Sequence, residues 1–113
     1  MSPDRLVIIA GSVYGGTSSK SPDGTTAHVS GESSADGESF NVCSISFGTP
    51  FKQMPALVAF LAPIDAGIGA SYACNYVSWQ PDFSGVTMKF RRLTGSEGYN
   101  ANLLYFGFSV QGV

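Results

Sequence analysis

The chain has 113 residues, of which 14 are Gly and 6 are Pro, so the strongest helix breakers recur too often for an all-helical protein. Charged residues make up only 12%, half the roughly 25% of ordinary globular domains, and the formal net charge is −2, so no positive field draws a nucleic-acid backbone or an anionic lipid surface. Nucleic acid and membrane are thereby set aside as partners, and a chain of this length is read as one domain with one core.

Arg5 to Ala10 (RLVIIA) reads as a short buried strand that stops at Gly11. Its apolar part is shorter than a secretory core of about 7 to 15 residues or a membrane span of about 20, so no signal peptide is expected. Tyr14 to Ser39 is rich in Gly, Ser and Thr and carries the turn signals Pro22-Asp23-Gly24 and Asp36-Gly37. It predicts long loops around one edge strand, residues 25–30. The single domain, residues 1–113, thus divides into an N-terminal strand with loops over 1–38 and a core over 39–113.

From Ser39 the pattern alternates: Cys43, Ile45 and Phe47 fall on one face of a strand ending near Gly48. Residues 56–62 (ALVAFLA) form a continuous apolar run, the signature of a sandwich-core strand. A loop over 64–69, a strand over 71–79, a turn at Pro81 to Gly85 and a strand in which Val86, Met88 and Phe90 share a face follow. Gly95 to Gly98 turns the chain into a final strand over 101–110. About seven short strands separated by turn signals predict an all-β fold, an antiparallel β-sandwich of six to seven strands.

The last strand is apolar on both faces, with Leu104, Phe106 and Phe108 on one and Leu103 and Tyr105 on the other. An antiparallel sandwich normally leaves one face of each sheet wet, so a second apolar face predicts a homo-oligomer, or else loops 14–39 folded over it.

Several chemistries find no support. Gly11 to Lys20 suggests a phosphate loop, loosely like that of flavodoxins, but Ser19 precedes Lys20 where a Walker loop needs Gly, and no α/β pattern follows. His28 is the only histidine, lies in a Ser/Thr-rich stretch, and has no nucleophile elbow to serve. Asp36, Asp65 and Asp82 are the carboxylates open to glycosidase chemistry, yet each stands in turn-forming company. The basic run Lys89-Phe90-Arg91-Arg92 reads as a strand edge. Cys43 and Cys74 have no metal-ligand spacing and read as buried free thiols. No enzyme activity, cofactor or metal is therefore expected.

Ile45-Ser46-Phe47-Gly48-Thr49-Pro50-Phe51, then Pro55-Ala56-Leu57-Val58, Ile64-Asp65 and Ser84-Gly85-Val86 follow one another in a recognisable order. The series, an aromatic strand end, a proline corner, an apolar strand, an Ile/Leu-Asp pair and a Thr/Ser-Gly turn, resembles the H-type lectin domain of snail agglutinins and discoidins, over roughly residues 36–110. The resemblance implies a six-stranded sandwich, assembly as a homotrimer or as a hexamer of paired trimers, and binding of galactose or N-acetylgalactosamine at subunit boundaries. It puts Asp36, followed by Gly37, in the place of the acidic residue that grips sugar hydroxyls. Other family contacts are replaced: an Arg falls on Ala73, a Trp-His pair on Leu93-Thr94, the last-strand Trp on Gly107 or Phe106, and the Cys pair has no counterpart.

Tyr72, Arg92 and Thr94 lie beside those replaced positions. They are candidates to rebuild a carbohydrate site, with Tyr72 as a stacking platform and Arg92 as a hydroxyl donor. An interface tyrosine and a rim arginine are the competing readings.

The expected function is a non-catalytic carbohydrate-binding module acting as a homo-oligomer, read as the receptor-binding component of a phage particle that recognises a bacterial surface polysaccharide. Such a chain is expected as a virion component, or cytoplasmic as synthesised, that acts outside the cell. The alternative is a virion fibre-tip or decoration protein with a lectin-like fold and no sugar.

Overall fold

The computed structural model of the chain describes residues 6–14, 18–20, 24–33, 39–64, 69–95 and 104–113. They form eight strands: β1 (Val7–Tyr14), β2 (Ser18–Lys20), β3 (Thr26–Ser33), β4 (Ser39–Ser46), β5 (Ala56–Pro63), β6 (Ala70–Trp79), β7 (Gly85–Gly95) and β8 (Leu104–Gly112). A three-stranded sheet of order β1-β8-β5 packs against a five-stranded sheet of order β2-β3-β4-β7-β6, every pairing antiparallel. The protein is an all-β sandwich. Seven strands are those expected, in the expected order; the eighth is the three-residue β2.

Period-two patterning decides which side chains meet. On β4 and β7, Cys43, Ile45, Val86, Met88 and Phe90 point inward and are almost wholly buried. Opposite them β8 supplies Leu104, Phe106, Phe108 and Val110, and Phe90 meets Phe106 edge-on across the core with centroids 6.2 Å apart. The one buried amide among the described residues, Asn41, donates from Nδ2 to the Ser30 carbonyl at 3.3 Å, which spares it the cost of an unpaired polar group.

One end of the sandwich is closed by aromatic rings. The chain leaves β4 at Phe47, turns at Pro50 and crosses to the other sheet, and Phe47 and Phe51 meet edge-on at 5.0 Å. Trp79 stacks on Phe47 and meets Phe83 edge-on. The β6–β7 turn is fastened to this corner: Phe47 N–H donates to the Ser84 carbonyl at 2.8 Å and Phe51 N–H to the Phe83 carbonyl at 3.2 Å. Phe83 holds a φ of 58°, left-handed and uncommon for a non-glycine, in the turn these bonds and its ring contact fix. Asp82 closes the same turn, its Oδ1 accepting from Ser84 N–H at 3.0 Å, and hydrogen bonds from the Ser84 side chain first and its backbone N–H second hold the Asp82 carboxyl below the usual carboxylate range.

Four expectations are corrected. β1 does not stop at Gly11 and is not buried: it runs to Tyr14 as a sheet edge, with Val13 buried and Ile8 62% exposed. β3 is an interior strand rather than an edge, because β2 pairs along its outer side. β5, expected as a sandwich-core strand, is an edge strand: Leu61 is buried while Val58 is 72% and Phe60 52% exposed. Cys74 is exposed, and only Cys43 is a buried thiol.

The two thiols cannot join within the chain, because β7 lies between β4 and β6. Two strand spacings set their Cα atoms about 10 Å apart, beyond the roughly 7 Å a disulfide spans. Burial, and secondarily the charge of Cys74, pushes the Cys43 thiol up to about 12.

Three outcomes follow from this packing. Phe106→Ala should cost about 3–5 kcal/mol in urea unfolding. In the native protein one thiol per chain, Cys74, should react promptly with a small thiol reagent, and Cys43 only after denaturation. Between pH about 9, the ordinary thiol value, and about 12 the folded chain retains a proton the unfolded chain has lost. Stability therefore falls with rising pH across that window, and Cys43→Ala should flatten this part of the slope in melting curves taken at successive pH values.

Candidate functional site

The candidate residues gather where β6 and β7 leave the sandwich. Tyr72 pairs with Arg92 and Ser71 with Thr94, so Leu93 is the extra residue of a bulge. A second irregularity makes Asn75 extra between the pairs Cys74–Phe90 and Tyr76–Lys89. Between the two bulges Tyr72 and Arg92 fall on the same side of the sheet as Cys74 and Phe90, the inner side, at its outer rim. Arg92 is exposed there, while Tyr72 is half-buried and its ring packs on the core. The ring is committed to the fold and its hydroxyl is buried, while Arg92 opposite it is exposed. Thr94 stands one pair further along the same ladder. Asp36 and Gly37 lie outside the described residues, as does Asp65.

The chemistry available at this rim is hydrogen bonding and aromatic contact. A guanidinium presents five N–H donors in a fixed plane, which suits paired hydroxyls or a carboxylate, and a tyrosine edge covers the apolar side of a small polar ligand.

The basic run Lys89-Phe90-Arg91-Arg92 does not make one patch. Period two sends Lys89 and Arg91 to the outer side of β7, Phe90 to the core and Arg92 to the inner rim. Lys89 Nζ sits between two rings, 4.9 Å from the Phe40 centroid and 4.8 Å from that of Tyr76, so its charge is already engaged by two aromatic faces.

A second feature was not legible in the sequence. On the outer side of the five-stranded sheet, His28, Ser44, Thr87 and Ser78 stand in one cross-strand row over β3, β4, β7 and β6. His28, Ser44 and Thr87 of this row line an open groove of about 330 Å³ that Gln80, Ser84 and Gly85 also line; at Gly85 a side chain would meet the Ile45 carbonyl at 2.8 Å. Its lining contains no Asp, Glu, Lys or Arg. His28 is thus an exposed residue within β3. The groove offers hydroxyl, amide and imidazole groups to a neutral polar ligand and no carboxylate to a reaction. Its only sequence signal is the polar half of the alternation in β3, β4 and β7, which any wet sheet face carries.

Among the described residues no group of three or more His, Cys, Asp or Glu could hold a metal ion. No helix among them is long and apolar enough to cross a membrane. Comparison of the chain with family models, with curated proteins and with solved structures finds no match.

Proposed function

We propose that the chain is a non-catalytic carbohydrate-binding module that works as a homo-oligomer, presenting weak sites side by side. The single observation that carries this reading is the pairing of Tyr72 with Arg92 across the β6–β7 ladder, with Thr94 one pair beyond. Residues twenty positions apart, chosen because they flank replaced family contacts, are neighbours in space on an exposed rim. Asp36 and Gly37 complete the site by the H-type lectin resemblance, a carboxylate accepting two hydroxyl bonds at once. The resemblance supplies the ligand class, galactose or N-acetylgalactosamine, with bacterial surface polysaccharide as the target of a phage receptor-binding protein. It also supplies the trimer or paired trimers, and multivalency turns weak single sites into useful avidity. The chain would then be a virion component acting outside the cell.

A second reading is a structural or assembly protein of such a particle, a fibre tip or decoration, without sugar binding. It is favoured by the exposed apolar side chains of β1 and β5, among them Val58 and Ile8, which suit assembly and are not part of the β6–β7 rim.

The test is a glycan array carrying galactose, N-acetylgalactosamine and bacterial polysaccharides, probed with the intact protein and with Asp36→Ala and Arg92→Ala. The lectin reading expects specific binding that each variant weakens by about 10-fold or more, as the loss of a charged hydrogen bond does, with melting temperatures little changed. Binding that survives both substitutions would remove the rim as the site. Silence of the intact protein across the panel would leave the structural reading.

A further inference from the structure

We infer that the outer face of the sheet β1-β8-β5 is where copies of this chain associate, each packing it against the same face of another copy. The inference rests on the homo-oligomer in the proposed function and is independent of its glycan.

The face is read from the register. Residues opposite one another in an antiparallel ladder share a face, and β1, β8 and β5 present four outward rows of three: Ile8, Gln111 and Ala56; Ala10, Ser109 and Val58; Ser12, Gly107 and Phe60; Tyr14, Tyr105 and Ala62. No position carries a charge. Wet sheet faces are ordinarily set with charged side chains, and the five-stranded sheet has Lys89 and Arg91 on its own outer side. On the three-stranded sheet Ile8, Tyr14, Val58 and Phe60 are instead each more than half exposed.

The relief favours a copy of itself as the occupant. Phe60 lies flat over Gly107, where a Cβ would run into its ring, and its neighbour Tyr105 leads on to Tyr14, with centroid separations of 5.7 and 5.3 Å. These three rings form a ridge along one end of the face. The small residues Ala10, Ser12 and Ser109 stand in the rows beside it. Turned about a two-fold axis, the ring ridge of one copy can lie on the small residues of the other, the large-to-small self-complementarity an isologous interface needs.

A flat polysaccharide is a poorer occupant, because the rings are inclined to one another by 39° and 61° and offer no common plane for stacking. A charged partner would lose hydration against a face with nothing to pair it.

Area sets the strength. Strands of eight residues at about 3.3 Å each, three abreast at about 4.8 Å, give a footprint of roughly 380 Å² per copy. Two such faces together fall below the roughly 1,200 Å² of stable complexes. Association through this face alone is therefore reversible and depends on concentration.

The experiment is sedimentation velocity on the intact chain from about 5 to 500 µM, beside Val58→Glu and Ile8→Glu, with Thr87→Glu on the opposite sheet as control. Circular dichroism and melting curves establish that each variant is folded. The expected result is a species heavier than the 11.8 kDa chain that grows with concentration in the parent and in Thr87→Glu, and a monomer in both face variants. A parent that stays monomeric at 500 µM would overturn both the face and the homo-oligomer. Association that folded Val58→Glu and Ile8→Glu leave unchanged would overturn the face and leave the oligomer standing.

Discussion

Everything in this fold turns on β8. Its inward residues Leu104, Phe106, Phe108 and Val110 are the densest apolar contribution to the core, and it is the middle strand of the smaller sheet. A strand so placed is hydrogen-bonded along both edges and has no free backbone to spend on solvent. With only three strands to cover five, the small sheet must put its large residues inward, and Phe90 from the wider sheet comes to meet Phe106. The hydrophobic gain from one strand face holds the two layers together.

The same constraint shapes what is left outside. β1 and β5 flank β8 as edges, and both are apolar at positions that face away from the core. Edge strands of natural sheets are usually blunted by lysine, proline or a bulge, and β1 carries none of these over its eight residues. The wider sheet is different in kind: its outer side bears hydroxyls, an imidazole, a lysine held between two rings and an arginine. The molecule thus has one neutral apolar side and one polar side, with the candidate sugar rim at an end between them. Division of labour between association and recognition is the functional reading that fits this asymmetry.

Much of the fold was legible because alternation is a strong signal when one sheet face is dry. Cys43, Ile45, Phe47, Val86, Met88 and Phe90 announced their inward face in the sequence, and all are buried. β5 misled because ALVAFLA is apolar at every position, and a run without alternation does not say whether one face or both are covered. β1 misled because Gly11, a plausible stop, instead lies under the Phe108 ring within a continuing strand. β2 has three residues in a Gly/Ser-rich stretch, too few for any period to register.

The site was less legible, and the reason is local. Tyr72, Cys74 and Tyr76 suggest one face of a strand, but the bulge at Asn75 shifts the register, so Tyr76 turns outward under Lys89 while Val77 takes the inner side. A one-residue insertion reverses every side chain beyond it, and nothing in the composition of Asn75 signals it. Tyr72, Arg92 and Thr94 were singled out by resemblance, and only the ladder gives them a common place. If copies associate through the uncharged face and leave the outer side of the five-stranded sheet free, methyl NMR spectra recorded over a range of protein concentrations will show it. Ile8 and Val58 resonances should shift or broaden as concentration rises while the Thr26 and Thr87 methyls on the opposite sheet stay unchanged. Equal response on both faces, or none on either, would contradict it.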